Sequence, residues 1–196
     1  MMMRAKKRFG QNFLQDDLII DQICASIRPM AGQSLIEIGP GQGVLTERLV
    51  QETPNMTVIE LDRDLMPNLR RLLPSTVNII EADVLTVDFF AFDAPLMIVG
   101  NLPYNISTPL LFRLFGLGNR IATMTFMLQK EVVDRMGAAP NTKAYGRLSV
   151  MAQYHCEIEK LFDVPPTAFK PAPKVTSAVV QLRPHAPPPH PATNLK

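Results

Sequence analysis

The sequence contains few of the residues that build metal sites. Its 196 residues include only two cysteines, Cys24 and Cys156, which are far apart and show no Cys-x-x-Cys spacing. The three histidines, His155, His185 and His190, form no metal-ligand pattern. These absences argue against a zinc site, so we predict no metal and a reducing, cytoplasmic environment.

Long apolar runs and a strong net charge are also missing. No apolar stretch approaches the roughly 20 residues that a membrane-spanning helix needs, and the N-terminus lacks the apolar core of a signal peptide. Twenty basic and eighteen acidic residues give a formal charge of +2, so charge alone does not indicate a polyanionic ligand. The basic cluster Arg4, Lys6, Lys7 and Arg8 either contacts phosphates or is simply solvated. We therefore predict no membrane association.

The length and composition are typical of one globular domain with an extension at each end. A hydrophobic content of 46% is enough to bury a sizeable core. We predict a basic arm over residues 1–15, a folded domain over 16–183 and a proline-rich linker over 184–196. Because nothing follows this linker, we expect that the chain is truncated before a further domain.

Hydrophobic patterning predicts an α/β fold in which strands and helices alternate. A first helix is capped by Asp16 or Asp17 and ends at Arg28-Pro29. The predicted strands cover residues 34–38, 56–61, 77–80, 96–99 and 123–128. Helices are predicted through Leu45, Leu49 and Val50, and over residues 62–73 and 110–117. Such alternation implies a parallel, doubly wound sheet with helices on both faces. No element is assigned between 129 and 155, and strands 156–164 and 177–182 predict an antiparallel edge pair.

A glycine-rich turn connects the first of these strands to a helix. Gly39, Gly41 and Gly43 would let the backbone approach a ligand, and the helix start offers free amide groups. The spacing is G-x-G-x-G, and Val44 occupies the position of the third glycine of the dinucleotide fingerprint. The turn thus predicts a nucleotide-binding cradle and disfavours a nicotinamide oxidoreductase, although a purely structural turn is the alternative.

Two carboxylates follow the next two strands. Glu60 lies about 20 residues after the turn, where an acidic side chain accepts hydrogen bonds from both hydroxyls of a ribose. Asp83 follows the third strand at the same edge of the sheet. Either residue alone is more often a solvated or capping group. Together with the turn they predict an adenosine-binding crevice that does not require a pyrophosphate.

The segment Asn101-Leu102-Pro103-Tyr104 follows the fourth strand and suits chemistry on an adenine. The N6 amine of adenine is a poor nucleophile, so an enzyme must hold it with hydrogen-bond acceptors. Asn101 and the carbonyl of Leu102 or Pro103 are suitable acceptors, and Tyr104 would stack on an extruded base. The alternative is a proline turn with Asn101 bonded locally and Tyr104 in the core.

Six separated motifs resemble those of the ribosomal RNA adenine N6,N6-dimethyltransferases, which include the kasugamycin-sensitivity enzymes. The resemblance runs from Lys7 to about His190. The motifs are residues 9–14 (FGQNFL), 37–41 (EIGPG), 58–62 (VIELD), 81–83 (EAD), 100–104 (GNLPY) and 169–175 (FKPAPKV). The resemblance implies a class I, Rossmann-like methyltransferase with a seven-stranded sheet and S-adenosylmethionine as cofactor. It also implies N6-methylation of small-subunit ribosomal RNA, with dimethylation of two adjacent adenines in immature small subunits.

The resemblance further implies a role for each site residue. Gln11, Asn12 and Leu14 would lie at the cofactor pocket beside Gly39 and Gly41, with Glu60 at the ribose, Asp83 at the cofactor adenine and Asn101 between cofactor and target amine. Phe169 would stack on the target adenine opposite Tyr104. From the residues alone, Phe169 is predicted to be a core residue of a hydrophobic loop cluster.

Family members usually continue into a helical C-terminal domain, which this sequence apparently lacks; we expect a monomer. Four other readings remain open. An antibiotic-resistance methylase acting on large-subunit RNA shares most motifs, and a non-catalytic RNA-binding factor would keep the fold without turnover. DNA adenine methylation would use the same pocket chemistry, and a nicotinamide oxidoreductase is the remotest alternative.

Overall fold

A computed structural model describes residues 11–187 of the chain. The basic cluster at residues 4–8, the first two residues of the 9–14 motif and most of the proline-rich linker lie outside this range. The strands are β1 Phe13–Leu14, β2 Ser34–Ile38, β3 Thr57–Glu60, β4 Asn78–Glu81, β5 Leu96–Asn101, β6 Ile121–Gln129, β7 Cys156–Val164, β8 Phe169–Lys170 and β9 Ser177–Pro184. The α-helices are α1 Asp17–Ser26, α2 Thr46–Leu49, α3 Met66–Leu72, α4 Tyr104–Phe115, α5 Lys130–Met136 and α6 Arg147–His155.

The main sheet has seven strands in the order β4-β3-β2-β5-β6-β9-β7. The first five are parallel to one another, whereas β9 is antiparallel to both β6 and β7. The predicted fold class, a mostly parallel seven-stranded sheet with an antiparallel edge pair, is therefore confirmed. Strand order reverses between β2 and β5, and ligands of open α/β sheets bind outside the carboxyl ends of strands at such a reversal.

Two hydrophobic clusters cover the two faces of this sheet. Alternate residues of β5 supply both clusters, since Ile98 packs on one face and Val99 on the other. At the start of the domain, α1 is capped as predicted, because the Asp16 carboxylate accepts a hydrogen bond from the Ile19 amide at 3.2 Å. Within residues 11–187, no helix is long and apolar enough to cross a membrane.

Two predicted helices have different bounds in the structure. The helix predicted over 110–117 starts six residues earlier, at Tyr104, and contains Pro109 inside it. Its buried face includes Ser107, so helical packing begins before the proline and outweighs the lost amide hydrogen bond. The helix predicted over 62–73 starts only at Met66, because the Asp62 carboxylate accepts the Asp64 amide and forms a turn there.

The stretch between 129 and 155, for which no element is predicted, folds into α5 and α6. The Gln153 side chain of α6 donates hydrogen bonds to the carbonyls of Met136 and Ala138 at 2.9 and 2.8 Å. The Ser149 hydroxyl donates to the carbonyl of Arg135 at 2.5 Å. Side chains of α6 therefore satisfy the carbonyl groups at the end of α5, and this holds the two short helices together.

A second sheet of two strands was not predicted either. β1 pairs antiparallel with β8, so that Phe13 lies opposite Lys170 and Leu14 opposite Phe169. The Gln15 amide extends the contact with a hydrogen bond to the carbonyl of Ala168 at 2.8 Å. Residues 11–15 are thereby fixed against the proline-rich loop that precedes β9.

Candidate cofactor and substrate pocket

A cavity of about 340 Å³ opens at the carboxyl ends of the parallel strands. It lies where the strand order reverses, as expected for a doubly wound sheet. All twelve residues predicted for the site line this cavity: Gln11, Asn12, Leu14, Gly39, Gly41, Glu60, Asp83, Asn101, Leu102, Pro103, Tyr104 and Phe169. The fold therefore brings the predicted residues into one place, while their individual roles stay predictions.

The glycine-rich turn has a backbone conformation that favours glycine. Gly39 and Gly41 have φ angles of +66° and +59°, in the left-handed region that other residues rarely adopt. A Cβ atom on Gly41 would also lie 3.5 Å from the Phe13 ring of β1. The turn thus fits closely under residues 11–15, which form the opposite wall.

Glu60 ends β3 and is held by two backbone amides. Its Oε1 accepts from the Asp62 amide at 2.9 Å, and its Oε2 accepts from the Gly41 amide at 3.1 Å. The side chain is only 7% exposed, and burial raises the pKa of Glu60 above its ordinary value despite these hydrogen bonds. Because each carboxylate oxygen has a further lone pair, the group is oriented and still able to accept hydroxyl groups.

Asp83 makes a local turn at the next strand end. Its Oδ1 accepts from the Leu85 amide at 2.9 Å, which is the ordinary capping role considered for it in the sequence. The residue also lines the cavity. The two functions are compatible, since one oxygen fixes the side chain and the other has lone pairs available.

Residues 11 and 12 connect the walls of the cavity. The side-chain Nε2 of Gln11 donates to the Asp62 carboxylate at 2.9 Å, two residues after Glu60. The Asn101 side-chain Nδ2 lies 3.5 Å from the carbonyl of Asn12. The segment before β1 therefore contacts both the β3 end and the β5 end.

Asn101 is placed by close packing at the end of β5. On one side of Asn101, Gly100 pairs with Ile38 of β2; on the other, the Leu102 amide donates to the carbonyl of Met127 in β6 at 3.1 Å. Since Nδ2 of Asn101 faces the Asn12 carbonyl, its Oδ1 is the side-chain atom available as an acceptor. This orientation suits a group that accepts hydrogen bonds from an amine.

The two aromatic residues differ in exposure. Tyr104 begins α4 and is 39% exposed, so the alternative that buries it in the core is wrong. Phe169 is 6% exposed and belongs to a buried cluster with Phe13 and Leu14, as the sequence without the family resemblance predicts. The same residue also lines the cavity. A buried ring at one wall and an exposed ring at another flank the opening.

Sequence reasoning missed one charged residue of the pocket, Glu37 at the end of β2. It is 1% exposed and lines the cavity, and the Thr46 hydroxyl donates a hydrogen bond to its Oε2 at 2.6 Å. Burial raises its pKa to about 7, the Thr46 hydrogen bond lowers it and the nearby Glu60 raises it further. The sequence signal that could have identified Glu37 is its position as the one acidic residue in the apolar strand β2.

The raised pKa of Glu37 predicts a pH-dependent loss of stability. Because the folded state binds a proton more tightly than the unfolded state, stability falls as pH rises from 4.5 through about 7. Glu37→Gln removes the charge but keeps an acceptor for Thr46. We expect the variant to be more stable than the parent by about 3 kcal/mol at pH values above this window, and equal to it below the window.

Urea unfolding without cofactor, at one pH on each side of that window, measures this difference. Glu47→Gln, on the exposed side of α2, is the matched control and should change little at either pH. An equal effect of Glu37→Gln at both pH values would show that the Glu37 carboxyl does not titrate in this range.

The family described as "Ribosomal RNA adenine dimethylase" matches residues 2–196. "Ribosomal RNA small subunit methyltransferase A" of Cronobacter sakazakii is 54% identical over 198 residues, which cover 98% of this chain and 72% of that protein. Within the described residues, no group of three or more His, Cys, Asp or Glu side chains could hold a metal ion.

Two solved structures are similar in both fold and sequence. A dimethyladenosine transferase from Plasmodium falciparum has a TM-score of 0.77 at 28% identity, covering 88% of this chain and 63% of that one. The 23S rRNA methyltransferase ErmE has a TM-score of 0.76 at 29% identity, covering 92% of this chain and 73% of that one. The chain thus spans about three quarters or less of the length of these relatives.

Proposed function

Since the chain belongs to the ribosomal RNA adenine dimethylase family, we propose that it transfers methyl groups from S-adenosylmethionine to the N6 amine of adenine in small-subunit ribosomal RNA. The observation that carries this proposal is the shared cavity, which joins the glycine turn, Glu60 and Asp83 to the Asn101–Tyr104 segment. One part of the cavity suits an adenosine and the other an adenine amine. Transfer of a methyl group from the cofactor to the target adenine needs both parts of the cavity.

The donor set of the first part fits the cofactor. Glu60 is oriented by two amides to accept the ribose hydroxyls, and Asp83 to accept an adenine amine. Gly39 and Gly41 line the cavity with backbone atoms alone, and Leu14 supplies an apolar wall. When bound, S-adenosylmethionine supplies a methyl group on a positively charged sulfonium.

The second part holds the target base. Oδ1 of Asn101 and the carbonyl of Leu102 or Pro103 accept hydrogen bonds from the N6 amine and favour its pyramidal geometry. Tyr104 and Phe169 contact the two faces of the base, which must be extruded from its helix. Held in this way, the N6 nitrogen would accept the methyl group that the bound cofactor would supply, with the cofactor sulfur as the leaving group.

No strong base is required in this scheme. The attacking amine becomes cationic and afterwards loses its proton to water or to a nearby acceptor. Catalysis therefore comes from positioning and from electrostatics. For dimethylation, the monomethylated amine must fit the same pocket again after the cofactor has been exchanged.

Small-subunit RNA is favoured over large-subunit RNA as the substrate. The relative named for the small subunit is 54% identical to this chain, whereas ErmE, named for 23S rRNA, is 29% identical.

We further propose that the protein acts as a monomer on immature small subunits in the cytoplasm. A helical domain after residue 196, as the family has, would assist docking.

Transfer of labelled methyl groups to purified subunits tests this proposal. The chain is incubated with immature small subunits, with large subunits and with adenine-containing DNA, alone and extended by the family's C-terminal domain. We expect label in small subunits, with the extended chain more active. Label in large subunits alone would support the resistance methylase, and cofactor binding without any transfer would support the non-catalytic factor.

A further inference from the structure

Ser177, the first residue of β9, is a buried polar residue without a partner in the fold. Ten polar or charged side chains are buried in the part of the chain that the structure describes. Nine of them form side-chain hydrogen bonds; the Ser149 hydroxyl, for example, donates to the carbonyl of Arg135. The tenth is Ser177, which is 5% exposed and whose hydroxyl forms no hydrogen bond with any residue in 11–187. Since an unpaired buried hydroxyl is costly, native proteins rarely keep one without a ligand or a water molecule to satisfy it.

The Ser177 side chain lies on the same face of the sheet as Phe169. Ser177 is directly opposite Val164 of β7, and residues directly opposite each other on two strands point to the same face. Val164 is buried in the cluster that contains Phe169. Ser177 also lines the cavity, at the end of the loop that follows β8. The unpaired hydroxyl is therefore on the side of the sheet that carries the ring proposed to stack on the target adenine.

The same face carries Asn101. Val99 belongs to that buried cluster, and Asn101, two residues later on β5, points the same way. Asn101 pairs with Met127 of β6. Met127 in turn pairs with Val179 of β9, two residues after Ser177. Two strand spacings and two residues of rise place the Cα atoms of Asn101 and Ser177 about 12 Å apart. That distance suits two short side chains with a flat base between them.

The position of β9 in the sheet assigns this hydroxyl to the substrate and not to the cofactor. The glycine turn follows β2, and both β5 and β6 separate β2 from β9. Three strand spacings amount to about 14 Å. The strand that ends at Glu60, β3, lies farther away still. An adenosine held at Glu60 is therefore on the far side of the cavity from Ser177.

We propose that the Ser177 hydroxyl donates a hydrogen bond to N1 or N7 of the target adenine, the two ring nitrogens that flank the N6 amine. Both nitrogens are acceptors in adenine, whereas the amine is held by acceptors at Asn101 and at Leu102 or Pro103. Stacking between two rings leaves the base free to turn in its own plane, and a second point of attachment beside the amine stops that rotation. The proposal rests on the proposed function and adds a substrate-binding residue to it.

The first test compares the stability of the free protein with and without the hydroxyl. Ser177→Ala removes an unpaired group, so the midpoint of urea unfolding should stay at the parent value or rise. Ser149→Ala, the same change at a buried serine that has partners in the fold, should lower the midpoint. A fall for Ser177→Ala as large as that for Ser149→Ala would show that the Ser177 hydroxyl already has a partner, and would overturn the proposal.

The second test uses small subunits reconstituted on RNA that is transcribed with adenosine, 1-deazaadenosine or 7-deazaadenosine. Each deaza base lacks one of the two ring nitrogens. On adenosine RNA, Ser177→Ala should lower kcat/KM for methyl transfer about three- to tenfold, the effect of losing one neutral hydrogen bond, with unchanged cofactor affinity. On one of the two deaza RNAs, parent and variant should be equal, because the contact is already absent there. That RNA identifies the nitrogen. Ser34→Ala, the same change at the amino end of β2, should match the parent on all three RNAs.

Two results of the second test would overturn the proposal. One is an equal rate for Ser177→Ala and the parent on adenosine RNA, which would leave water as the only partner of the hydroxyl. The other is a loss of the same size on all three RNAs, which would exclude a contact with either ring nitrogen. If the parent transfers no methyl group to any RNA, the proposed function fails and this proposal fails with it. Failure of this proposal alone leaves transfer by the parent intact, so the two failures are distinguishable.

Discussion

Replacing Asn101 with alanine is expected to lower the rate of methyl transfer by about 100- to 1,000-fold, the usual cost of removing one preorganised group at a reacting centre. The Asn101 amide is oriented by the Asn12 carbonyl on its Nδ2 side, which leaves Oδ1 for the target amine. Alanine removes that acceptor but leaves Glu60 and the glycine turn intact. Cofactor affinity should therefore change far less than the rate of transfer.

Single-turnover kinetics with labelled cofactor and calorimetric binding of the cofactor separate the two effects. Asn55→Ala, an exposed change at the opposite end of the sheet, serves as the control and should match the parent in both assays. If Asn101→Ala retains the parent rate, the role assigned to Asn101 is wrong. An equal loss in binding and in rate would make it a cofactor-binding residue only.

Replacing Gly100 with alanine is expected to cost about 3 kcal/mol of unfolding free energy, the upper part of the range for overpacking a core. A Cβ atom at Gly100 would lie 2.4 Å from the carbonyl oxygen of Ile38 and 3.3 Å from Cδ2 of Leu102. The first of these atoms is backbone, so β2 and β5 would have to separate. These two strands carry Gly39 and Asn101 at their ends, and cofactor affinity should fall as well.

Urea unfolding compares Gly100→Ala with Gly146→Ala, which places the same methyl group where no atom lies within 4 Å. Only the first change should lower the midpoint. If both variants unfold at the parent midpoint, the close approach of β2 and β5 is not what positions the end of β5.

Much of the sheet was predictable because its strands are short apolar runs between clear turn signals. The strand at residues 34–38 has the predicted bounds, and β5 and β6 differ from prediction by at most two residues at either end. The convergence of Glu60, Asp83 and Asn101 followed from the parallel topology, since carboxyl ends of parallel strands share one edge. The order of strands and helices along the chain is therefore enough to predict that these three residues lie close together.

The features that sequence reasoning missed depend on contacts distant in sequence. β1 is two residues long and exists through its pairing with β8, more than 150 residues later. The helices α5 and α6 are short, and side-chain bonds from Gln153 and Ser149 stabilise them rather than a strong helical pattern. The burial of Glu37 likewise results from packing of the glycine turn and α2 over β2, which no local pattern contains.

The most direct test of the central claim is the identity of the nucleoside that carries the methyl group. Immature small subunits are treated with the chain and S-adenosylmethionine, and their RNA is digested and examined by mass analysis. The account predicts N6-dimethyladenosine, which should disappear when Asn101→Ala replaces the parent. A methyl group on any nucleoside other than adenosine, or no methylated nucleoside although the cofactor binds, would contradict it.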